Sequence, residues 1–236
     1  MPQCKTLAIV GESGSGKTAI ALSIMRLNPK STSKIIEGNA IFNNIDLFKI
    51  SEQEMVKIRG KEISMIFQEP MTSLNPVMRI GDQIMETAMF HDGLNKRQAR
   101  DKTVQLLKEL GFSSPETSIN EYPHQMSGGM KQRIMIAMAI ICTPKLLIAD
   151  EPTTSLDVTV QAMIIDLIKR LQITLKMSII FITHDLAIVA EIADYVAVMY
   201  NGRIVEQADV KTFFRGASHP YSKELLQSVK SFNKNQ

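Results

Sequence analysis

The sequence predicts an α/β fold: a mostly parallel sheet covered by helices, an inserted α-helical subdomain, and a small antiparallel part. Three observations predict it. Short apolar runs ending in glycine or a carboxylate alternate with segments of helical period. The alternation stops after Pro70 and returns near Ser127. Near the C-terminus, Asn201-Gly202 separates two strand-like runs, the pattern of a two-residue hairpin.

Taken in order, residues 5–10 form a short apolar run that ends in glycines and suits a buried strand. Residues 18–27 follow as a helix, with Ile20, Ile24 and Leu27 on one face. Residues 35–42 read as a strand or hairpin, with Gly38-Asn39 as a candidate turn. Residues 62–67 form another strand, ending at Gln68. The insert holds a helix over 81–90 and a second over 95–110, with Asn95 as N-cap and Gly111 as the C′ residue.

The alternation then resumes. Residues 130–141 form a helix that is apolar all round past its first turn, hence buried. Residues 146–149 are a continuous apolar strand ending at Asp150-Glu151, and 160–171 are a helix. Residues 178–182 are a strand ending at His184, and 195–200 with 203–207 make the hairpin. The expected organisation is a core of 1–70 and 127–236 with a helical subdomain of 71–126.

Composition excludes several classes. With 44% hydrophobic and 22% charged residues over 236 positions, the chain has an ordinary globular balance and ample length for one sizeable core. A net charge of +3 with scattered Lys and Arg does not suggest nucleic acid. Cys4 and Cys142 lie too far apart for a disulfide framework or a metal-ligand spacing, and Cys142 closes an apolar run as a buried thiol. That run falls well short of the ~20 apolar residues that span a bilayer.

Gly11-Glu12-Ser13-Gly14-Ser15-Gly16-Lys17-Thr18 matches G-x-x-x-x-G-K-[ST] between a predicted strand and a predicted helix, the context a phosphate-binding loop requires. Its glycines let backbone N–H groups turn inward toward phosphate oxygens, and the helix that follows adds its positive end. Lys17 is placed to reach the β- and γ-phosphates and the Thr18 hydroxyl to ligate Mg²⁺. At the end of the 146–149 strand, Asp150 is a candidate Mg²⁺ ligand and Glu151 a candidate base for an attacking water. These two motifs alone specify an ATPase or a GTPase. Ser127-Gly128-Gly129, at a helix start, makes a second anion site that would serve a facing subunit.

With these motifs in this order, the chain resembles the ABC ATPase family over nearly its whole length. Residues 11–18 resemble its Walker A loop, Gln68 its Q-loop glutamine, and Met126-Ser127-Gly128-Gly129-Met130 its signature motif. Asp150 and Glu151 resemble the Walker B pair, Ser155-Leu156-Asp157 the D-loop, and His184 the switch histidine. The resemblance implies a P-loop, RecA-like core that binds ATP and Mg²⁺. It implies catalysis by Glu151, His184 and Gln68, and metal binding by Thr18, Gln68 and Asp150. It also implies ATP contacts from residues 11–18, Ser127, Gly128, Gly129 and Asp157.

Gln68-Glu69-Pro70-Met71-Thr72-Ser73-Leu74-Asn75-Pro76 and His219-Pro220-Tyr221 resemble the oligopeptide, dipeptide and nickel importers. The implied setting is the cytoplasmic face of the inner membrane, held there by partners. Those partners are a related but different second ATPase subunit, two permease subunits and, indirectly, a solute-binding protein. Of 15 methionines, eight fall between Met71 and Met138, which suits core filling or an adaptable groove for a membrane partner's short helix. Only ten residues precede Gly11 and none is aromatic, whereas the family usually places two strands and an adenine-stacking aromatic there. The N-terminus is therefore expected to be truncated or its start mis-assigned, leaving the 35–42 segment with an open edge.

Overall fold

The structure is a computed structural model that describes residues 1–29, 31, 33–68, 73–154 and 156–232, the last five by backbone alone. The chain divides into two compact units, Met1–Val56 with Ser178–Gln236, and Lys57–Met177.

The first unit is built on a row of four strands. β1 (Thr6–Val10) is the central strand, and a small hairpin of β2 (Ile41–Phe42) and β3 (Ile45–Asp46) stands apart from it. In the second unit, Ile63–Ile66 and Leu146–Asp150 form a parallel pair. The first unit then resumes with Ser178–Thr183, Tyr195–Tyr200 and Arg203–Asp209. To keep one set of labels, β4 is Ser178–Thr183, β5 is Tyr195–Tyr200 and β6 is Arg203–Asp209, while the pair in the second unit is named by its residues.

β1 pairs in parallel with β4 on one side and β5 on the other, and β6 closes the row antiparallel to β5. The sequence Thr-Leu-Ala-Ile-Val has no polar alternation because a parallel strand is covered on both faces, and Ala8, Ile9 and Val10 are all buried. β5 and β6 are joined by Asn201-Gly202, both at positive φ, as a tight hairpin turn requires.

The helices of the first unit are α1 (Lys17–Ile24), Leu186–Ile192, Val210–Arg215 and Pro220–Phe232; the last is called α10, tenth in chain order. α2 (Glu52–Ile58) spans the sequence boundary between the units. The second unit carries α3 (Ile80–Asp92), α4 (Lys96–Glu109), α5 (Pro115–Ser118), α6 (Gly128–Ile140) and α7 (Val158–Leu175). α4 opens on a reciprocal capping box, in which the Asn95 side chain accepts the Gln98 N–H and the Gln98 side chain accepts the Asn95 N–H. The 71–126 segment expected as a helical subdomain falls within the bounds of this unit.

Two expectations are corrected. Residues 35–40 form no strand, and the hairpin turns at Asn43-Asn44 rather than Gly38-Asn39, with φ of 48° and 63°. Two consecutive asparagines supply the left-handed backbone, since Asn tolerates that region better than other residues with a Cβ. The 130–141 helix begins two residues early, at Gly128, because Ser127 caps it.

Candidate functional site

In the first unit, residues 11–18 leave β1 and enter α1 as a compact loop. Gly14 and Gly16 take positive φ of 79° and 101°, which lets the chain fold back on itself before the helix starts. Gly11 is needed for space: a Cβ there would lie 2.2 Å from the Met199 carbonyl oxygen of β5. The loop closes on itself through Ser15 N–H to Glu12 O at 3.2 Å, and on the hairpin through Gly202 N–H to Ser15 O at 3.0 Å.

Lys17 is 5% exposed, and its ammonium donates to Gly11 O at 2.8 Å and to Glu12 O at 2.9 Å. A buried ammonium held by carbonyls is a cation stationed inside the loop. The Ser15 hydroxyl is buried there without a hydrogen-bond partner among the described residues. An orphaned donor beside a stationed cation fits an anionic ligand. Thr18, in the first turn of α1, is exposed. His184 follows β4 and is also exposed. Asp185 beside it accepts the Ala187 N–H and caps the next helix.

In the second unit, Asp150 is the buried last residue of its strand, 1% exposed. Glu151 follows in the left-handed region at φ 45°, a costly conformation for a residue with a Cβ. Its Oε2 accepts from Gln68 Nε2 at 3.3 Å and from Thr154 Oγ1 at 3.0 Å. The structure thus brings Gln68 and Glu151 together. Thr154 was missed in the sequence; its only signal is a hydroxyl three residues after the carboxylate, which alone does not distinguish it from a turn residue. Glu69, Pro70, Met71, Thr72 and Ser155, all part of the expected loops, lie outside the described residues.

Ser127 and Gly128 are exposed at the start of α6, and the Ser127 hydroxyl accepts the Met130 N–H at 3.3 Å. Gly129 packs against α7, since a Cβ there would lie 2.8 Å from Val160 Cγ1. Asp157 caps α7, accepting the Val160 N–H at 2.9 Å. The two expected ATP contacts Ser127 and Asp157 therefore each hold a helix N-terminus.

Comparison with known proteins decides the family. A family model described as ABC transporter matches residues 1–154. The chain belongs to the ABC transporter family. It is an ATP-hydrolysing cassette of that family. The oligopeptide transport ATP-binding protein AppD of Bacillus subtilis is 53% identical over 225 residues, covering 95% of this chain and 69% of the relative. The dipeptide transport ATP-binding protein DppD of the same organism is 51% identical, covering 95% of this chain and 67% of the relative. The chain thus spans about two thirds of these relatives' length. Among solved ABC structures, the dimeric ATP-binding cassette MJ0796 bound to ADP and Pi superposes with a TM-score of 0.77 at 25% identity, over 89% of this chain and 87% of that one. The CbiO1 cassette of Clostridium perfringens, part of the CbiONQ transporter, gives 0.77 at 28% identity, over 91% and 81%.

Cys142 fits the buried-thiol expectation. It is 7% exposed, and burial pushes its thiol up to about 11, so it stays protonated and unreactive at neutral pH. Cys4 is exposed. Among the described residues no helix is long and apolar enough to cross a membrane.

Proposed function

We propose that the chain energises an importer of oligopeptides, dipeptides or nickel by ATP-driven closure with a second, related ATPase subunit, coupled to two permease subunits. Its place is the cytoplasmic face of the inner membrane, as a peripheral subunit, with a solute-binding protein acting through the permeases. The 53% identity to an oligopeptide transport protein supports the peptide class. The observation that carries the catalytic part is Glu151, held by Gln68 and Thr154 on one oxygen next to buried Asp150.

In this reading, residues 11–18 hold the phosphates of ATP, and Lys17 turns its ammonium from the loop carbonyls to the β- and γ-phosphates. Glu151 accepts the proton of the attacking water, while Gln68 orients its carboxylate. His184 contacts the γ-phosphate. Ser127, Gly128, Gly129 and Asp157 complete the site of the facing subunit. Mg²⁺ suits the donors Thr18, Gln68 and Asp150, all hard oxygens. No three His, Cys, Asp or Glu among the described residues converge on a metal, so the phosphates themselves would supply further ligands. When bound, Mg²⁺ neutralises charge that develops on the phosphates.

The test is reconstitution. The chain, its partner ATPase and two permeases in liposomes should hydrolyse ATP and accumulate labelled peptide. Glu151→Gln in this chain should sharply reduce both. ATP hydrolysis without uptake of peptide or nickel would overturn the importer reading.

A further inference from the structure

We propose that Tyr221 is a positioning residue for the phosphate loop: its hydroxyl holds Glu12, and Glu12 in turn holds Lys17. The inference rests on reading residues 11–18 as the phosphate loop. It gives the His219-Pro220-Tyr221 triplet, which served above only as a sign of subfamily, a physical task.

The contact joins residues 209 positions apart. The Glu12 N–H donates to Tyr221 Oη at 3.0 Å. That N–H is therefore committed to protein rather than to a phosphate. The Glu12 carbonyl accepts from Lys17 Nζ at 2.9 Å and from Ser15 N–H at 3.2 Å. One peptide-bonded residue thus carries Tyr221 on its donor side and the phosphate-seeking amine on its acceptor side. If Glu12 swings, Lys17 loses one of its two carbonyls and the loop loses its internal closure.

Tyr221 can act as a fixed point because its ring is buried and packed. It is 7% exposed and packs in the same cluster as Ala8 and Val10, the strand that leads into the loop. Its ring lies 4.3 Å from that of Tyr200, at 37°. Burial also pushes the phenol upward, so the hydroxyl stays neutral at physiological pH.

The triplet is anchored from below by Glu206 of β6. Its carboxylate accepts the Ser218 N–H at 2.7 Å and the His219 N–H at 2.9 Å. His219 Nδ1 accepts the Tyr221 N–H at 3.3 Å, and Pro220, the first helical residue of α10, has no N–H to satisfy. The N–H groups of Ser218, His219 and Tyr221 are thereby all paired at the helix start. The chain of contacts closes on itself: β1 runs into the loop, the loop to Tyr221, Tyr221 through His219 to Glu206 on β6, and β6 back through β5 to β1.

The test is Tyr221→Phe, which removes one oxygen and keeps the packed ring. In the nucleotide-free chain, amide hydrogen exchange at Glu12 should quicken by about tenfold, on the scale of one lost hydrogen bond. The dissociation constant for a fluorescent ATP analogue with Mg²⁺ should rise roughly three- to tenfold. The KM for ATP should rise with it while kcat changes less than about twofold, and the nucleotide-free melting temperature should stay within about 2 °C. Unchanged exchange at Glu12, or faster exchange with unchanged nucleotide affinity, overturns the proposal. Failure of the wild-type chain to bind ATP would instead refute the phosphate-loop reading, and the exchange measurement would still decide whether Tyr221 holds Glu12.

Discussion

Gln68 and Glu151, 83 residues apart in sequence, are joined by a hydrogen bond of 3.3 Å from the Gln68 amide to Glu151 Oε2. The same oxygen accepts from Thr154, so two neutral side chains orient the carboxylate through it. Glu151→Gln keeps an oxygen for both donors and removes the charge. ATP binding should persist and turnover should fall about 10²- to 10⁴-fold, the usual worth of a general base. Closed dimers should accumulate under ATP, seen by size-exclusion chromatography. Turnover at the wild-type rate would remove Glu151 from the base role.

Lys17→Ala should act twice. On the proposed reading it removes the charge meant for the β- and γ-phosphates, so nucleotide affinity should weaken markedly on titration. It also strips the carbonyls of Gly11 and Glu12 of their shared donor. The Glu12 carbonyl keeps the Ser15 N–H, so the nucleotide-free protein should lose about 1–3 kcal/mol, the cost of the buried Gly11 carbonyl losing this donor. Wild-type affinity in this variant would refute the phosphate-loop assignment.

If the signature site serves the facing subunit as proposed, Gly129→Asp should leave ATP binding by the single chain intact and abolish hydrolysis in the dimer. The structure adds a steric term, since any Cβ at this position presses on Val160. Gly129→Ala with Val160→Ala relieves that pressure without adding charge. This pair should recover hydrolysis, which separates packing from electrostatics. Lost nucleotide binding by the single Gly129→Asp chain would contradict the reading.

Much of this was legible because the informative signals are local. Asn95 with Gln98, Asn201 with Gly202, and the glycines of residues 11–18 each fix a backbone conformation within a few residues. The hairpin at Asn43-Asn44 was missed because a nearby Gly-Asn pair carried the more familiar turn signal. Glu12 with Tyr221, and Glu151 with Thr154, were illegible for a different reason. A hydroxyl has no sequence pattern that names its distant or turn-mediated hydrogen-bond partner; only packing brings them together. The reach of Glu206 to Ser218 and His219 is of the same kind.

Acid stability should depend on Asp92. It sits in the last turn of α3, where the helix dipole disfavours a negative charge. Burial also pushes its carboxyl up, but Lys102 at 2.9 Å and Lys61 at 3.6 Å outweigh both and hold it below the usual range. With the folded value below the unfolded one of about 3.9, its stabilisation is complete above about pH 4 and disappears as pH falls through the folded value. Because both lysines reach solvent, the contribution should stay below about 1 kcal/mol. Asp92→Asn should lower the melting temperature slightly at pH 7 and reduce its fall between about pH 4 and pH 2.5. An identical acid profile in variant and wild type would show that the trio contributes nothing.

The last prediction concerns the second unit's surface. α3 and the start of α4 form a groove of about 490 Å³ lined by Asp82, Met85, Glu86, Met89, Phe90 and Lys96. Its apolar side chains are not all spent on the core: Met85 is buried, but Met89 is 39% and Phe90 67% exposed. An exposed phenylalanine beside an adaptable methionine, bordered by two carboxylates, suits the short helix of a permease bearing apolar and basic residues. Covering the remaining surface of Phe90 would contribute about 1–2 kcal/mol, or roughly 5- to 30-fold in affinity. Phe90→Asp removes that gain and would bury an unpaired charge between two like charges. Being exposed, the position should tolerate the change with little loss of stability. Permease capture from detergent-solubilised membranes should fall at least tenfold while basal ATPase activity stays within about twofold. Val158→Asp, at a position of α7 that is 82% exposed, serves as the control and should leave capture unchanged. Full permease capture by Phe90→Asp and by Met89→Glu would place the docking face elsewhere.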